Sequence, residues 1–191
     1  MRKTVIAGEA PARSIVARLR SAGHRAYLVG GCVRDLLLER APQDYDVATS
    51  ATPDEILAQY PEGNRVGAHF GVVLVGEVEV ATFRSDRGYA DHRRPDSVRF
   101  ETDPRQDALR RDFTINALMM DPESGEVLDF TGGRDDLDRR MIRTVGEPGR
   151  RFAEDHLRLL RAVRFAARLG FTIEEATLAA IREMAGQIRT V

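Results

Sequence analysis

Asp44 and Asp46, in the stretch QDYDVAT, stand two residues apart in a run that reads as a strand. That spacing puts both carboxylates on one face and Tyr45 on the other. Two anions side by side repel unless a cation sits between them. Mg²⁺ accepts carboxylate, water and phosphate oxygens, and a pair of such ions can clamp the attacking and leaving oxygens of a phosphoryl displacement. This chemistry commonly recruits a third acid, and Glu79 in EVEVATF is the candidate if a hairpin lies beside the first strand. An isolated Asp-x-Asp is more often a polar strand end, so the reading depends on its surroundings.

Upstream, VGGCVRD offers a strand, the turn Gly30-Gly31 and the start of a helix. Free N–H groups and the helix dipole favour an anion such as phosphate there, and Arg34, one turn on, can add a charge-assisted bond. Alone, the same residues describe a tight turn with a surface arginine. A dinucleotide loop is disfavoured because the third glycine of Gly-x-Gly-x-x-Gly is missing. Downstream, FAEDHLRLLRAVRF sets Arg158, Arg161 and Arg164 at every third position after Glu154 and Asp155. Lys3 is the only lysine, so 28 of 29 basic residues are arginine and the rhythm by itself says little.

The elements that must position these groups follow from pattern. A helix runs from about Pro11 to Gly23, RAYLVG is a strand and CVRDLLLER a helix. TPDEILAQY is a helix capped by Thr52 with Pro53 in its first turn. FGVVLVGEVEVATF reads as a hairpin turning near Gly76-Glu77, and GYADHRRPDSVRF as an irregular, mobile loop. DPRQDALRRDFTINALMM begins a helix at Asp103-Pro104, EVLDF is a last or edge strand, and TGG turns into a short helix. From Pro148 the pattern predicts helix only: one long segment to Leu169, and another opened by a capping box from Thr172 to Glu175.

Of the 191 residues, 42% are hydrophobic and 31% charged, the profile of a folded domain rather than a disordered one. A net charge of −1 gives no global case for a nucleic-acid partner, so any such case is local. Cys32 is the only cysteine, which excludes an intrachain disulfide and a cysteine-based zinc cluster and suits a reducing cytoplasm. The N-terminal apolar stretch is too short for a signal peptide, and nothing reaches membrane-spanning length.

LVGGCVRDLLL, QDYDVAT, EVATFR, RRDFTINAL and EDHLRLLRAVRFAARLGF, in this order, resemble the bacterial tRNA nucleotidyltransferase and poly(A) polymerase family, the class II polymerase-β-like nucleotidyltransferases. The resemblance runs from Tyr27 to Phe171. It implies an α+β head with a mixed sheet and flanking helices over residues 1–145, then the start of an all-helical neck over 146–191, with body and tail domains absent. By resemblance, Asp44 and Asp46 are the metal-binding pair, Glu79 the third catalytic carboxylate, and Gly30, Gly31 and Arg34 the triphosphate motif. Arg111 and Asp112 lie near the nucleotide's sugar and phosphates, favouring ribose. Their alternative is an ordinary set of helix-surface ion pairs with Arg110.

In the same family the neck helix reads the base. Cytosine and adenine share an amine donor beside a ring-nitrogen acceptor, so a carboxylate and a guanidinium three apart on a helix, Asp155 and Arg158, can read them. Uracil and guanine would leave groups unpaired at about 1–3 kcal/mol each. Arg161 and Arg164 continue the stripe toward the nucleotide; the alternative is a helix ion pair followed by solvated arginines. The expectation is addition of CMP, AMP or both to a tRNA 3′ end with two Mg²⁺ ions, in the cytoplasm and without a membrane partner. tRNA binding by these residues alone is expected to be weak or absent. The rivals are a poly(A) polymerase of the same family and a non-catalytic RNA-binding fragment. The segment from Asp86 to Pro95 resembles the family's flexible loop.

Overall fold

A computed structural model describes residues 8–66 and 70–190. Helix α1 (Glu9–Ser21) sets Ala12, Ile15, Val16 and Leu19 on one buried face, as their helical spacing requires. Strand β1 (Ala26–Val29) runs through Gly30 into α2 (Gly31–Leu37), and β2 (Asp46–Thr49) returns antiparallel to it. Helix α3 (Pro53–Gln59) has the expected cap: Thr52 and Glu55 form a reciprocal capping box, with Pro53 in the first turn. Strands β3 (Asn64–Arg65), β4 (Val72–Val75) and β5 (Val78–Thr82) complete one side of the sheet, with the β4–β5 turn at Gly76-Glu77 as predicted.

Next come β6 (Arg84–Arg87), β7 (Ser97–Phe100), α4 (Pro104–Leu109), a 3₁₀ turn (Thr114–Asn116), β8 (Met119–Met120), β9 (Val127–Leu128) and α5 (Gly133–Asp138). The chain ends with β10 (Met141–Ile142), α6 (Pro148–Glu154), α7 (Leu157–Leu169), β11 (Thr172–Ile173), α8 (Glu175–Met184) and a 3₁₀ turn from Ala185 to Thr190.

The main sheet has the order β3-β4-β5-β2-β1-β8-β9. It is mixed: β2 and β5 are parallel and the other pairs antiparallel. Both faces are covered, so successive residues enter different cores. Val47 joins a cluster containing Leu19, Leu28, Ile56 and Val80, whereas Ala48 joins one containing Val29, Phe83, Ala108 and Met119. The first cluster also takes Phe113 and Ile142 together with Ala162, Phe165, Leu169 and Phe171, so a continuous apolar core links the sheet to the last helices.

Several expectations need correction. The helix begun at Pro104 stops at Leu109, and RRDFTINAL continues as an irregular stretch, a 3₁₀ turn and a short strand. The stretch 88–100 is not wholly irregular: it ends in β7, which pairs antiparallel with β6, and residues 88–96 form the loop between them. After Pro148 the chain is not helix only, because β11 pairs parallel with β10. The cap of α8 is Glu174, whose carboxylate accepts from the Thr177 backbone N–H and hydroxyl, and Thr172 lies in β11.

The largest correction falls on FAEDHLRLLRAVRF, which is two helices. Asp155 is extended, at φ −145° and ψ 104°, between α6 and α7. Its carboxylate accepts from the Leu157 N–H, and the next backbone N–H, that of His156, goes to the His92 carbonyl of the β6–β7 loop. The apolar rhythm runs unbroken across this joint; a tertiary hydrogen bond from a distant loop helps to fix it.

Candidate active site

Antiparallel pairing places Asp46, the first residue of β2, opposite Val29, the last of β1. The acids are therefore brought to the sheet end from which the Gly30-Gly31 turn leaves. Parallel pairing of Val47 with Val80 sets Asp46 beside Glu79 at the next position along. Asp44 precedes the strand itself, but the alternation extends back to it: Tyr45 is buried and Asp44 exposed. Burial, then the charges of Asp44 and Glu79, push the Asp46 carboxyl up to about 6, with Arg111 pulling the other way.

One cavity of about 340 Å³ gathers most of the predicted residues. Gly30, Gly31, Arg34, Asp44, Asp46, Arg111, Asp112, Arg161 and Arg164 all line it. Elements far apart in sequence thus meet: the glycine turn, the acidic strand start, the stretch after α4, and α7. An adjoining cavity of about 240 Å³ is lined by Asp155 and Arg158 with Arg110, and shares Arg111, Asp112 and Arg161 with the first.

Glu79 is exposed and lines neither cavity. Among the described residues no group of three acids, histidines or cysteines is assembled to hold a metal. The third carboxylate is near enough to act on the Asp46 charge without closing a cage. The donors offered are all carboxylate oxygens, and Asp46 is crowded by like charge; both properties fit a hard divalent cation such as Mg²⁺.

Gly30 adopts φ +77° and ψ −129°, a conformation essentially confined to glycine. A Cβ there would stand 3.3 Å from the Arg111 guanidinium. Arg34 is buried, donating to Asp35 Oδ1 at 2.8 Å and to Asn116 Oδ1 at 2.8 Å. Arg110 and Arg111 are both anchored on the buried carboxylate of Asp107, one on each oxygen. The surface ion-pair alternative for this triplet is therefore half right. The pairs exist, but they are built around a buried acid, and Asp112 turns instead to α7, where Arg161 meets it at 2.6 Å.

Asp155 and Arg158 form only a long ion pair, so the helix ion-pair alternative accounts for little of their arrangement. Arg158 lies 3.9 Å from Asp155 but donates to Glu154 Oε2 at 2.9 Å and to the Arg151 carbonyl at 3.0 Å. Nor do the two residues share a helical face, since Asp155 sits in the joint. Burial pushes the Asp155 carboxyl up, against the neighbouring arginines. Burial would lower Arg158, but its bond to Glu154, together with the charges of Tyr89, Glu154 and Asp155, holds the guanidinium above its ordinary value. Tyr89 of the β6–β7 loop presents its ring to Arg158, and His92 stacks on His156 at 4.7 Å, so this loop packs against the joint.

Sequence reasoning missed Asp35, Gln43, Asn116 and Arg168, which line the main cavity, and the Glu154 partner of Arg158. Two carried a signal. Arg168 extends the arginine series by one more turn and reaches Gln43 at 3.0 Å. Glu154 stands four residues before Arg158, the helical ion-pair spacing. Phe165, read only as core, also lines the cavity and lies beneath Arg34, Arg161 and Arg164.

A strand order with one parallel pair at its centre, and acids at the strand end facing a glycine turn, defines the polymerase-β-like nucleotidyltransferase head. Comparison with known proteins agrees. Residues 26–143 match the family described as the poly A polymerase head domain, and the chain belongs to that family. It is 51% identical over 182 residues to the CCA-adding enzyme of Oceanobacillus iheyensis, covering 93% of this chain and 45% of that protein. It is 49% identical over 174 residues to the CCA-adding enzyme of Geobacillus thermodenitrificans, covering 89% and 43%. The crystal structure of the Bacillus stearothermophilus CCA-adding enzyme in complex with CTP superposes with a TM-score of 0.86 at 43% identity, covering 94% of this chain and 44% of that one. The chain thus spans less than half the length of these relatives.

Proposed function

We propose that this chain is the nucleotide-binding and catalytic portion of an enzyme that adds CMP, AMP or both to the 3′ end of tRNA, drawing on CTP and ATP. The observation that carries the reading is the single cavity shared by the acidic strand start, the glycine turn and the arginines of α7. Its likeness to CCA-adding enzymes, one of them solved with CTP, supports the choice of product. Residues 1–145 form the catalytic portion and 146–191 the portion that reads the base. No helix among the described residues is long and apolar enough to cross a membrane. Action on tRNA is consistent with a cytoplasmic enzyme.

Asp44 and Asp46, with Glu79 beside them, would hold two Mg²⁺ ions. Bound there, the ions supply Lewis-acid stabilisation of charge on the phosphate and acidify the RNA 3′-hydroxyl. The reaction joins O3′ of the RNA to the α-phosphorus as the hydroxyl proton passes to solvent, breaks the bond from the α-phosphorus to the bridging β-phosphate oxygen and releases pyrophosphate. Arg34 and Arg111 balance the triphosphate charge, Gly30 lets the backbone approach it, and Asp112 accepts from the ribose hydroxyls. Arg161 and Arg164 hold the nucleotide from the α7 side.

Base choice falls to Asp155 and Arg158, one accepting from the exocyclic amine and the other donating to the ring nitrogen of cytosine or adenine. The test is a chimera that joins this chain to the remaining length of the Oceanobacillus iheyensis relative. Incubated with tRNA lacking its terminal CCA, it is expected to add a short C- and A-containing end. A long A tail identifies a poly(A) polymerase instead, and no extension of any kind contradicts the proposal.

A further inference from the structure

Asn116 was not among the residues singled out by sequence, yet it touches three that were. It ends the 3₁₀ turn after Phe113 and is only 7% exposed. Its Oδ1 accepts from Arg34 Nη1 at 2.8 Å, its Nδ2 donates to Asp112 Oδ1 at 3.2 Å, and its backbone carbonyl accepts from Arg111 Nη1 at 3.5 Å. A guanidinium can only donate and a carboxylate only accept, so the amide has a single orientation that satisfies both neighbours.

This arrangement divides the Asp112 carboxylate into two ends. Oδ1 is anchored in the interior by the Phe113 N–H at 2.7 Å and by Asn116, whereas Oδ2 meets the partly exposed Arg161. An approaching hydroxyl therefore competes with Arg161 for Oδ2 and leaves the anchored end undisturbed. On its other side Asn116 fixes Arg34, whose remaining side-chain bonds go to Asp35.

We propose that Asn116 is a positioning residue for nucleotide selection, aiming Asp112 at the ribose 2′-hydroxyl while holding Arg34 toward the triphosphate. The inference rests on the functional reading above and deepens it. The amide's two ends act on different parts of the ligand, so substitution can separate them. Asn116→Asp keeps an acceptor for Arg34 but sets a second carboxylate against Asp112. Asn116→Leu, similar in shape, removes both bonds.

The experiment measures CTP and dCTP binding to this chain in Mg²⁺, with thermal melting as a check on folding. Wild type is expected to prefer CTP. Asn116→Asp is expected to lose about tenfold of that preference while its dCTP affinity stays within about twofold of wild type, the contrast expected when one charge-assisted bond is lost. Asn116→Leu is expected to lose the preference and to bind dCTP more weakly as well. Should Asn116→Asp melt below the titration temperature, Asn116→Leu carries the comparison, and unchanged preference there overturns the proposal. Equal losses for CTP and dCTP in Asn116→Asp, or preference retained in full, also overturn it. A wild-type chain that binds neither nucleotide overturns the functional reading, and the positioning role with it.

Discussion

Arg161 on α7 closes on Asp112 at 2.6 Å, tying the last helical segment to the stretch that follows α4. The two residues are 49 positions apart, and the contact makes a single cavity wall of two separate parts of the chain. Arg161 is 42% exposed, so its pairing adds little to stability. Arg161→Ala is expected to cost about 1 kcal/mol, a shift in Tm of about 2–4 °C, while weakening CTP binding about tenfold or more. Thermal melting and nucleotide titration on the same sample check the split.

Gly30→Ala tests the glycine turn. The native backbone there is strained for any side chain, at a cost of about 1–3 kcal/mol. The new methyl group would also press on Arg111. Reduced CTP affinity together with a lowered Tm is expected from the two effects. An unchanged affinity would show that close backbone approach is unnecessary.

Asp107 controls the acid limb of stability. Burial alone would raise its carboxyl, but Arg111 and Arg110 hold it below the ordinary value. A depressed folded-state value makes its contribution fully present above the unfolded carboxyl value, about 3.9, and lost as pH falls through the folded one. Asp107→Asn is expected to cost about 3–5 kcal/mol at neutral pH, because two guanidinium groups lose a buried partner. Its denaturation midpoint should then fall less steeply than that of wild type below about pH 4. Urea melts across the acid range give both numbers.

Asp46→Asn replaces one carboxylate oxygen by an amide nitrogen and removes the negative charge, with little change of shape. Mg²⁺-dependent strengthening of CTP binding is expected to fall by more than about 100-fold, beyond the loss usual for an outer-shell partner. Binding measured in EDTA should barely change. A variant that keeps its full response to Mg²⁺ would take Asp46 out of the metal site.

Local pattern made much of this molecule legible. Period-two alternation brought Asp44 and Asp46 to one side of Tyr45, and the Thr52 cap, the Gly76 turn and the α1 face follow from short-range rules. What stayed hidden depended on partners distant in sequence. The joint at Asp155 lies inside an uninterrupted apolar rhythm and is held in part by the His92 carbonyl. Strand β6, RSDR, carries no apolar residue, and the two apolar residues of SVRF are too short a run beside the polar stretch 88–96 to mark β7 as its partner. Two-residue β11 is too short for any periodicity to reveal. Asn116 looked like part of a helix run, and its importance appears only when Arg34, 82 positions away, closes on it.

On the proposed function, this chain binds nucleotides through its own cavity and reads the base with Asp155 and Arg158. The most direct measurement is equilibrium binding of CTP, ATP, UTP and GTP in Mg²⁺, by wild type and by Asp155→Ala. Wild type is expected to favour CTP and ATP, and Asp155→Ala to lose about 5- to 150-fold of that preference, the equivalent of about 1–3 kcal/mol. Equal affinity for all four nucleotides in wild type, or an undiminished preference in Asp155→Ala, would contradict it.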